Sequence, residues 1–189
     1  MSMLFDLRRV PHDQAASLMQ DPSDILFFLY GSEPDTPPKG FFQKVFGQTS
    51  PPKRERTWSP PAEGTVFELE KNWHILHYVL ARSPWEGPMP QATLIRGGTE
   101  LGTIDVGYGP ARMLGPQDRD QFLSFLRGLS REEFAANITG AELEAEEIYG
   151  AYPDWGREDA DNLWAYIEGL QAFFAQAQAQ EESIIMYLY

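Results

Sequence analysis

The sequence predicts a single α/β domain, with α+β as the open variant, in which a small mixed sheet holds both ends of the chain and three or more helices cover it. Three observations carry this reading. Met3 to Val10 alternates, with Met3, Phe5 and Leu7 on one side and Asp6 and Arg8 on the other, the period of a half-buried strand near a sheet edge. Ser183 to Tyr189 reads SIIMYLY and is apolar on both faces, as expected of a strand inside a covered sheet. Between them, three stretches space their apolar residues by three and four: Val66 to Ala81, a helix opened by Pro116, and Glu158 to about Gln178.

In chain order, Asp13 is placed to cap a short helix running to Met19 or Gln20. A second helical piece, DILFFLY, ends at Gly31. From 32 to 63 seven prolines block continuous helix or sheet and predict a surface insertion or flap. Inside it, Gly40 to Gly47, GFFQKVFG, forms an amphipathic island with Phe41, Phe42 and Phe46, and Trp58 is expected to tack down its end.

Val66 to Ala81 then reads as the central core helix. Leu69, Trp73, Leu76 and Leu80 form one stripe, Val66 extends it, and burying each Trp or Leu is worth roughly 1.5–3 kcal/mol. Ala92 to Ile95 and Leu101 to Val106 are expected as short strands around Gly97 and Gly98. After Pro116, Phe122, Phe125, Leu126 and Leu129 share a helix face, and Ser130 with Glu133 forms a capping-box pattern. The closing helix carries Leu163, Ile167, Leu170, Phe174 and Ala177 in register.

Composition narrows the function classes. A chain of 189 residues fits one domain, able to bury about 70% of its unfolded surface. No apolar run reaches the eighteen or so residues of a membrane span, and the start lacks the form of a signal peptide, so a cytoplasmic protein is expected. With no cysteine there is no thiol catalysis, disulfide or thiolate metal site. The net charge of −13 argues against nucleic acid as a partner. Lys39 to Arg56 carries a local +4, leaving −17 for the remainder, and Glu132 to Glu168 holds eleven acidic residues against one basic. Such a surface suits a basic protein partner, although acidity also serves plain solubility.

Chemistry-bearing residues are few. Glu70, His74 and His77 would share a face of the central helix, but HILH lacks the Glu of H-E-x-x-H and a third ligand, so local hydrogen bonding is preferred to a metal. There is no G-x-S-x-G and no P-loop. Gly107 to Arg112 departs from G-x-G-x-x-G because Arg112 stands at the third glycine, and no cofactor is expected.

The order of GYGPARML before a Pro-led helix, EKNWHILHYVL earlier, EIYGAYPDW later and a terminal apolar strand resembles the bacterial YfbM-like family, a domain of unknown function. The family pattern is met by Glu70, Lys71, Trp73, Leu76 and His77 and by Tyr108 to Arg112. Ile148 to Pro153 departs from it by a small insertion, and 32–63 reads as a variable one. The resemblance implies a small α/β domain and no established activity.

Three functional readings follow. The first is a non-catalytic interaction protein, of immunity or antitoxin type, using an acidic surface that includes Glu142, Glu144, Glu146, Glu147 and Asp159. The second is a small-ligand binder or enzyme with a pocket of Trp73, His77, Tyr108, Arg112 and Asp154, where Arg112 offers a planar fork for a carboxylate or phosphate. Its bland counterpart has the aromatics packing the core and Arg112 bonding a turn. The third is an oligomer joined through Phe41, Phe42 and Phe46; the oligomeric state is otherwise open.

Overall fold

The last strand is the axis of the molecule. In the computed structural model, which describes residues 2–31, 58–136 and 139–189, the elements run β1 (Phe5–Val10), α1 (His12–Gln20), a 3-10 turn (Pro22–Asp24), α2 (Ile25–Tyr30), β2 (Val66–Glu70), α3 (Trp73–Ala81) and α4 (Thr93–Arg96). There follow β3 (Thr99–Asp105), β4 (Pro110–Leu114), α5 (Pro116–Arg127), α6 (Arg131–Ala136), α7 (Gly140–Ala145), α8 (Arg157–Ala179) and β5 (Ser183–Leu188). The five strands form one sheet in the order β2-β1-β5-β4-β3. Phe5 pairs with Leu188 and Val10 with Ser183, so the two ends of the chain lie side by side. All four pairings are antiparallel, a narrower arrangement than the mixed sheet expected.

Because side chains alternate across a strand, β5 sends Ile184 and Met186 to one face and Ile185 and Tyr187 to the other, all four buried. The first face is covered by α3, α5 and α8. The Leu163, Ile167, Leu170, Phe174 and Ala177 stripe of α8 is buried there beside Phe122 and Leu126 of α5. The second face is covered by α1 and α2, through Ala15, Leu18, Ile25 and Leu29, a role the sequence did not signal. The result is three layers with β5 in the middle.

The stretch from Val66 to Ala81 corrects the sequence reading. Its first five residues are the edge strand β2, and only Trp73 to Ala81 are helical. Phe67 and Leu69 face the core at the strand period, the Asn72 N–H closes a turn on the Leu69 carbonyl, and Glu70 takes φ 52°. Leu69 lies four residues before Trp73 and enters the same core cluster, which is why a helical stripe fitted. Glu70 therefore shares no helix face with His74 and His77.

Smaller differences follow the same logic. Thr93–Arg96 is a helical turn, not a strand, its N–H groups bonding back to the carbonyls of Pro90 and Ala92. The 110–114 segment, which the sequence left unassigned, is β4. Pro11, not Asp13, occupies the N-cap of α1. Ser130 does cap α6, accepting from the Glu133 N–H and donating to its carboxylate. The aromatic island, its three phenylalanines and the basic cluster lie outside the described residues. At the exit of that stretch Trp58 sits against Gly31, where an added Cβ would stand 2.8 Å from its ring. No helix among the described residues is long and apolar enough to cross a membrane.

Candidate functional site

At the end of the sheet where β1 begins and β5 ends, a cleft of about 260 Å³ opens on the α3 face. Its walls include Phe5, Trp73, Trp85, Glu100, Tyr108 and Arg112. Each wall comes from a different part of the chain, and local structure explains how each is held.

Tyr108 sits at the tip of the β3–β4 hairpin. The Asp105 carboxylate accepts the N–H groups of Gly107 and Gly109 at 2.8 and 2.9 Å, which hold its pKa below the usual carboxylate range. The Tyr108 N–H donates to the Leu188 carbonyl at 3.0 Å. Gly107 has φ 152°, and a Cβ there would meet the Tyr189 Cα at 2.5 Å, so the hairpin approaches β5 closely only because this residue is glycine. Tyr108 is left 43% exposed.

Trp85 is placed by His74. One imidazole nitrogen, Nδ1, accepts the Tyr149 N–H at 2.9 Å, so the ring carries its proton on Nε2 and donates it to the Pro84 carbonyl at 2.8 Å. The His74 ring lies 4.3 Å from that of Trp85 and 4.9 Å from that of Trp73. Burial pushes the His74 pKa down, keeping the ring neutral. His74 is thus a clamp between the 82–92 loop, the 149 turn and α3, while Trp85 stays 53% exposed at the cleft mouth.

Trp73 forms the inner wall. It is 1% exposed and its ring neighbours include Phe5, His74, Trp85 and Tyr149. Its indole N–H has no acceptor among the described residues. A buried donor left unmatched costs about 1–3 kcal/mol.

Arg112 is committed elsewhere. Nε donates to the Gly97 carbonyl at 2.7 Å, Nη2 to those of Gly98 and Arg96 at 2.8 and 3.2 Å, and Nη1 to the Glu100 carboxylate at 3.1 Å. Four of its five N–H groups are engaged. The fork that the sequence offered to an anionic ligand instead fastens the 96–98 turn to β4, with Glu100 as its cross-strand partner.

The other two expected pocket residues stand apart. His77 is fully buried and does not line the cleft. Neither ring nitrogen makes a well-formed hydrogen bond; the nearby Glu86 backbone only partly offsets burial, which takes the pKa down to about 4. Asp154 is exposed in the turn before α8. The structure therefore brings together Trp73, Tyr108 and Arg112, and adds Phe5, Trp85 and Glu100. Sequence reasoning missed Trp85 inside a turn-rich run, where a lone Trp has no periodicity to reveal it, and Glu100, whose pairing appears only once β3 and β4 are known to be a hairpin.

The acidic residues divide as well. Glu142 accepts the Tyr78 hydroxyl at 2.8 Å and lies 4.0 Å from Arg82. Asp159 caps α8 by accepting the Gly156 N–H at 2.8 Å and also takes the Tyr152 hydroxyl. Glu144, Glu146 and Glu147 are exposed at the end of α7. Among the described residues no group of His, Asp and Glu could hold a metal ion.

No curated protein matches this sequence. A solved structure of a protein of unknown function, YfbM from Escherichia coli, superposes with a TM-score of 0.62 at 14% identity, covering 98% of this chain and 99% of that one. That likeness is one of fold. A family model, described as domain of unknown function DUF1877, matches residues 1–187, and the chain belongs to that family.

Proposed function

We propose that this protein is a non-catalytic recognition protein that holds its ligand in the aromatic cleft. The observation that carries this is the mouth of the cleft, where Trp85 and Tyr108 stand 53% and 43% exposed over a floor of buried apolar residues. Large aromatics left in water around a concavity are a hallmark of binding surfaces, since covering them removes apolar area from water at low cost in rotamer entropy. Both imidazoles of α3 serve packing, so neither is offered to a substrate as acid or base.

A fragment screen by protein-observed NMR tests this. Hits should cluster on the Trp85 and Tyr108 signals and be lost in Trp85→Ala, whose melting stays within a few degrees of the parent. Hits scattered over the surface, or unaffected by that substitution, would overturn it.

A second reading keeps the acidic face for a basic protein partner. Tyr152 is 46% exposed, and Asp154, Glu158 and Asp159 surround it closely enough to raise its pKa, its hydrogen bond to Asp159 being the leading cause. An aromatic ring within carboxylates suits a Lys or Arg side chain. Here a bound basic protein should be released by high salt and by Glu144→Lys with Glu147→Lys. Retention at both salt concentrations would remove this reading.

A further inference from the structure

At the opposite end of the sheet from the aromatic cleft, where β1 ends and β5 begins, a second cavity of about 490 Å³ has Arg8, Arg9, Phe28, Trp58 and Glu182 in its wall. We infer that it binds an oxyanion, a carboxylate or phosphate group carried on an apolar body, and that the Arg8 guanidinium receives that group. This site is independent of the cleft, and what marks it is the pairing of its charges.

Arg9, Arg82, Arg96, Arg112, Arg119 and Arg131 each have a carboxylate within 4.0 Å. Arg8 is half-buried and has none among the described residues, although the chain holds 28 acidic residues against 15 basic. Asp6, two residues back on the same strand face, is taken up by the hydroxyls of Tyr187 and Tyr189. Of the carboxylates in the cavity wall, Glu182 is held 3.3 Å from Arg9 Nε, and Asp24 forms no ion pair with Arg8. Burial pushes the Arg8 pKa down with no carboxylate to oppose it. A charge drawn partly out of water without a counter-charge is a cost to the fold, and an anion entering the cavity relieves it.

The guanidinium is already set for such a partner. Its Cζ lies 3.9 Å from the centre of the Phe28 ring, and Nη1 donates to the Phe28 carbonyl at 2.6 Å. Stacking covers a face of the planar group and leaves its edge open. Four of its five N–H groups have no acceptor among the described residues, and none of its nitrogens is sealed from water. Arg112, with four of five engaged, is the reverse case. An open guanidinium edge matches two oxygens of a carboxylate or phosphate. Beside it Phe27, Phe28, Trp58, Pro60 and Pro61 make an apolar wall, which suits an apolar body behind the charged group.

The test uses 3-phenylpropionate, its neutral amide and phenylphosphonate, each titrated at neutral pH into the millimolar range against the full chain. The Arg8 Nε–H and Trp58 indole N–H signals of a ¹⁵N-labelled sample report on the cavity, and the Trp85 indole reports on the cleft. 3-Phenylpropionate should move the Arg8 and Trp58 signals to saturation and bind about tenfold or more tighter than the amide, because only the acid forms a charge-assisted pair. Its binding should weaken as salt rises while that of the amide does not. The rank of phenylphosphonate against 3-phenylpropionate separates a phosphate ligand from a carboxylate one. In Arg8→Gln the acid should fall to the level of the amide, and Arg8→Lys, which keeps the charge and loses the fork, should recover only part of the difference. The wild-type comparison of acid with amide decides the matter even where Arg8→Gln fails to fold. The site is overturned by an amide that binds as well as both anions, by acid binding undiminished in a folded Arg8→Gln, or by anions that leave the Arg8 and Trp58 signals unmoved. Movement of Trp85 in place of Trp58 would assign the anions to the cleft and equally overturn it.

Discussion

On one face of the sheet α3, α5 and α8 bury a continuous body of leucine, isoleucine, phenylalanine and tryptophan; on the other, α1 and α2 cover a smaller patch that ends in polar groups. There Asp6 is 6% exposed and accepts the Tyr189 hydroxyl at 3.0 Å and the Tyr187 hydroxyl at 3.4 Å, with Tyr30 packed on both rings. The difference separates two duties. The large face supplies the apolar burial that makes the fold, and the small face seals β5 while holding an ionisable group out of water. The cleft belongs to the large face but lies at its end, where helices give way to the 82–92 loop and the hairpin tip.

The contrast is broken most directly by truncation. Phe174 of α8 is fully buried against Phe122 at 5.2 Å and Phe173 at 6.2 Å, and Phe174→Ala should cost about 3–5 kcal/mol. Leu29→Ala on the small face should cost about 2–3 kcal/mol, near the lower end of its class, because a six-residue helix at the surface can settle into the space. Urea denaturation of both variants measures this. A Leu29→Ala loss equal to that of Phe174→Ala would make the two faces energetically alike.

These two residues also mark how far the sequence can be read. Phe174 sits in a 23-residue helix whose apolar spacing repeats over about four turns, so its face was legible, as was β5 from being apolar on both sides. The α1–α2 layer was legible as helices but not as a layer, since nothing local says which face of a sheet a short helix covers. Val66 to Glu70 was misread because Leu69 satisfies both the strand period and the helical spacing to Trp73, and only the φ of 52° at Glu70 separates them. Trp73, Tyr108 and Arg112 were recognisable as residue types, yet their meeting depends on closure of the sheet across β5. No local pattern carries that information, and it equally hides that neither His77 nor Asp154 lines the cleft.

Arg112 sharpens the comparison from the large face, where its guanidinium is held by backbone carbonyls. Arg112→Ala should cost about 2 kcal/mol, since the carbonyls of residues 96 to 98 lose their donors together, and Arg112→Lys should recover little because an ammonium cannot reproduce the fork. Thermal denaturation reads both. Full recovery by lysine would reduce the residue to its charge pairing with Glu100.

Asp6 tests the small face through pH. Burial, only partly offset by the two tyrosine hydroxyls and reinforced by Glu68 and Glu70, raises its pKa to about 6 against 3.8 when unfolded. The folded state therefore holds the proton more tightly. This contribution is fully present below about pH 4, declines as pH rises toward 6, and is absent above. Asp6→Asn, which keeps an acceptor for the hydroxyls, should become more stable than the parent by about 1–2 kcal/mol at pH 7 and match it near pH 4. Parent and variant are compared because Asp105 and Asp159, whose pKa values are lowered, contribute in the opposite sense to both. A constant difference from pH 4 to 7 would remove Asp6 titration as the cause.

The smallest stability effect bears most on function. If the end of the large face is a binding surface and not unfinished core, removing its exposed ring should leave the fold nearly untouched. Tyr108 is held by its backbone, through the N–H to Leu188 and the Asp105-capped turn, and neither contact involves the ring. Tyr108→Ala should therefore change unfolding free energy by no more than about 0.5 kcal/mol, the scale of ordinary surface substitutions. The same variant should weaken the binding of fragments that hit the cleft by about fivefold, because one stacking face is lost. A destabilisation above about 2 kcal/mol would place the Tyr108 ring in the core, and the large face would then extend to the hairpin tip with no binding rim.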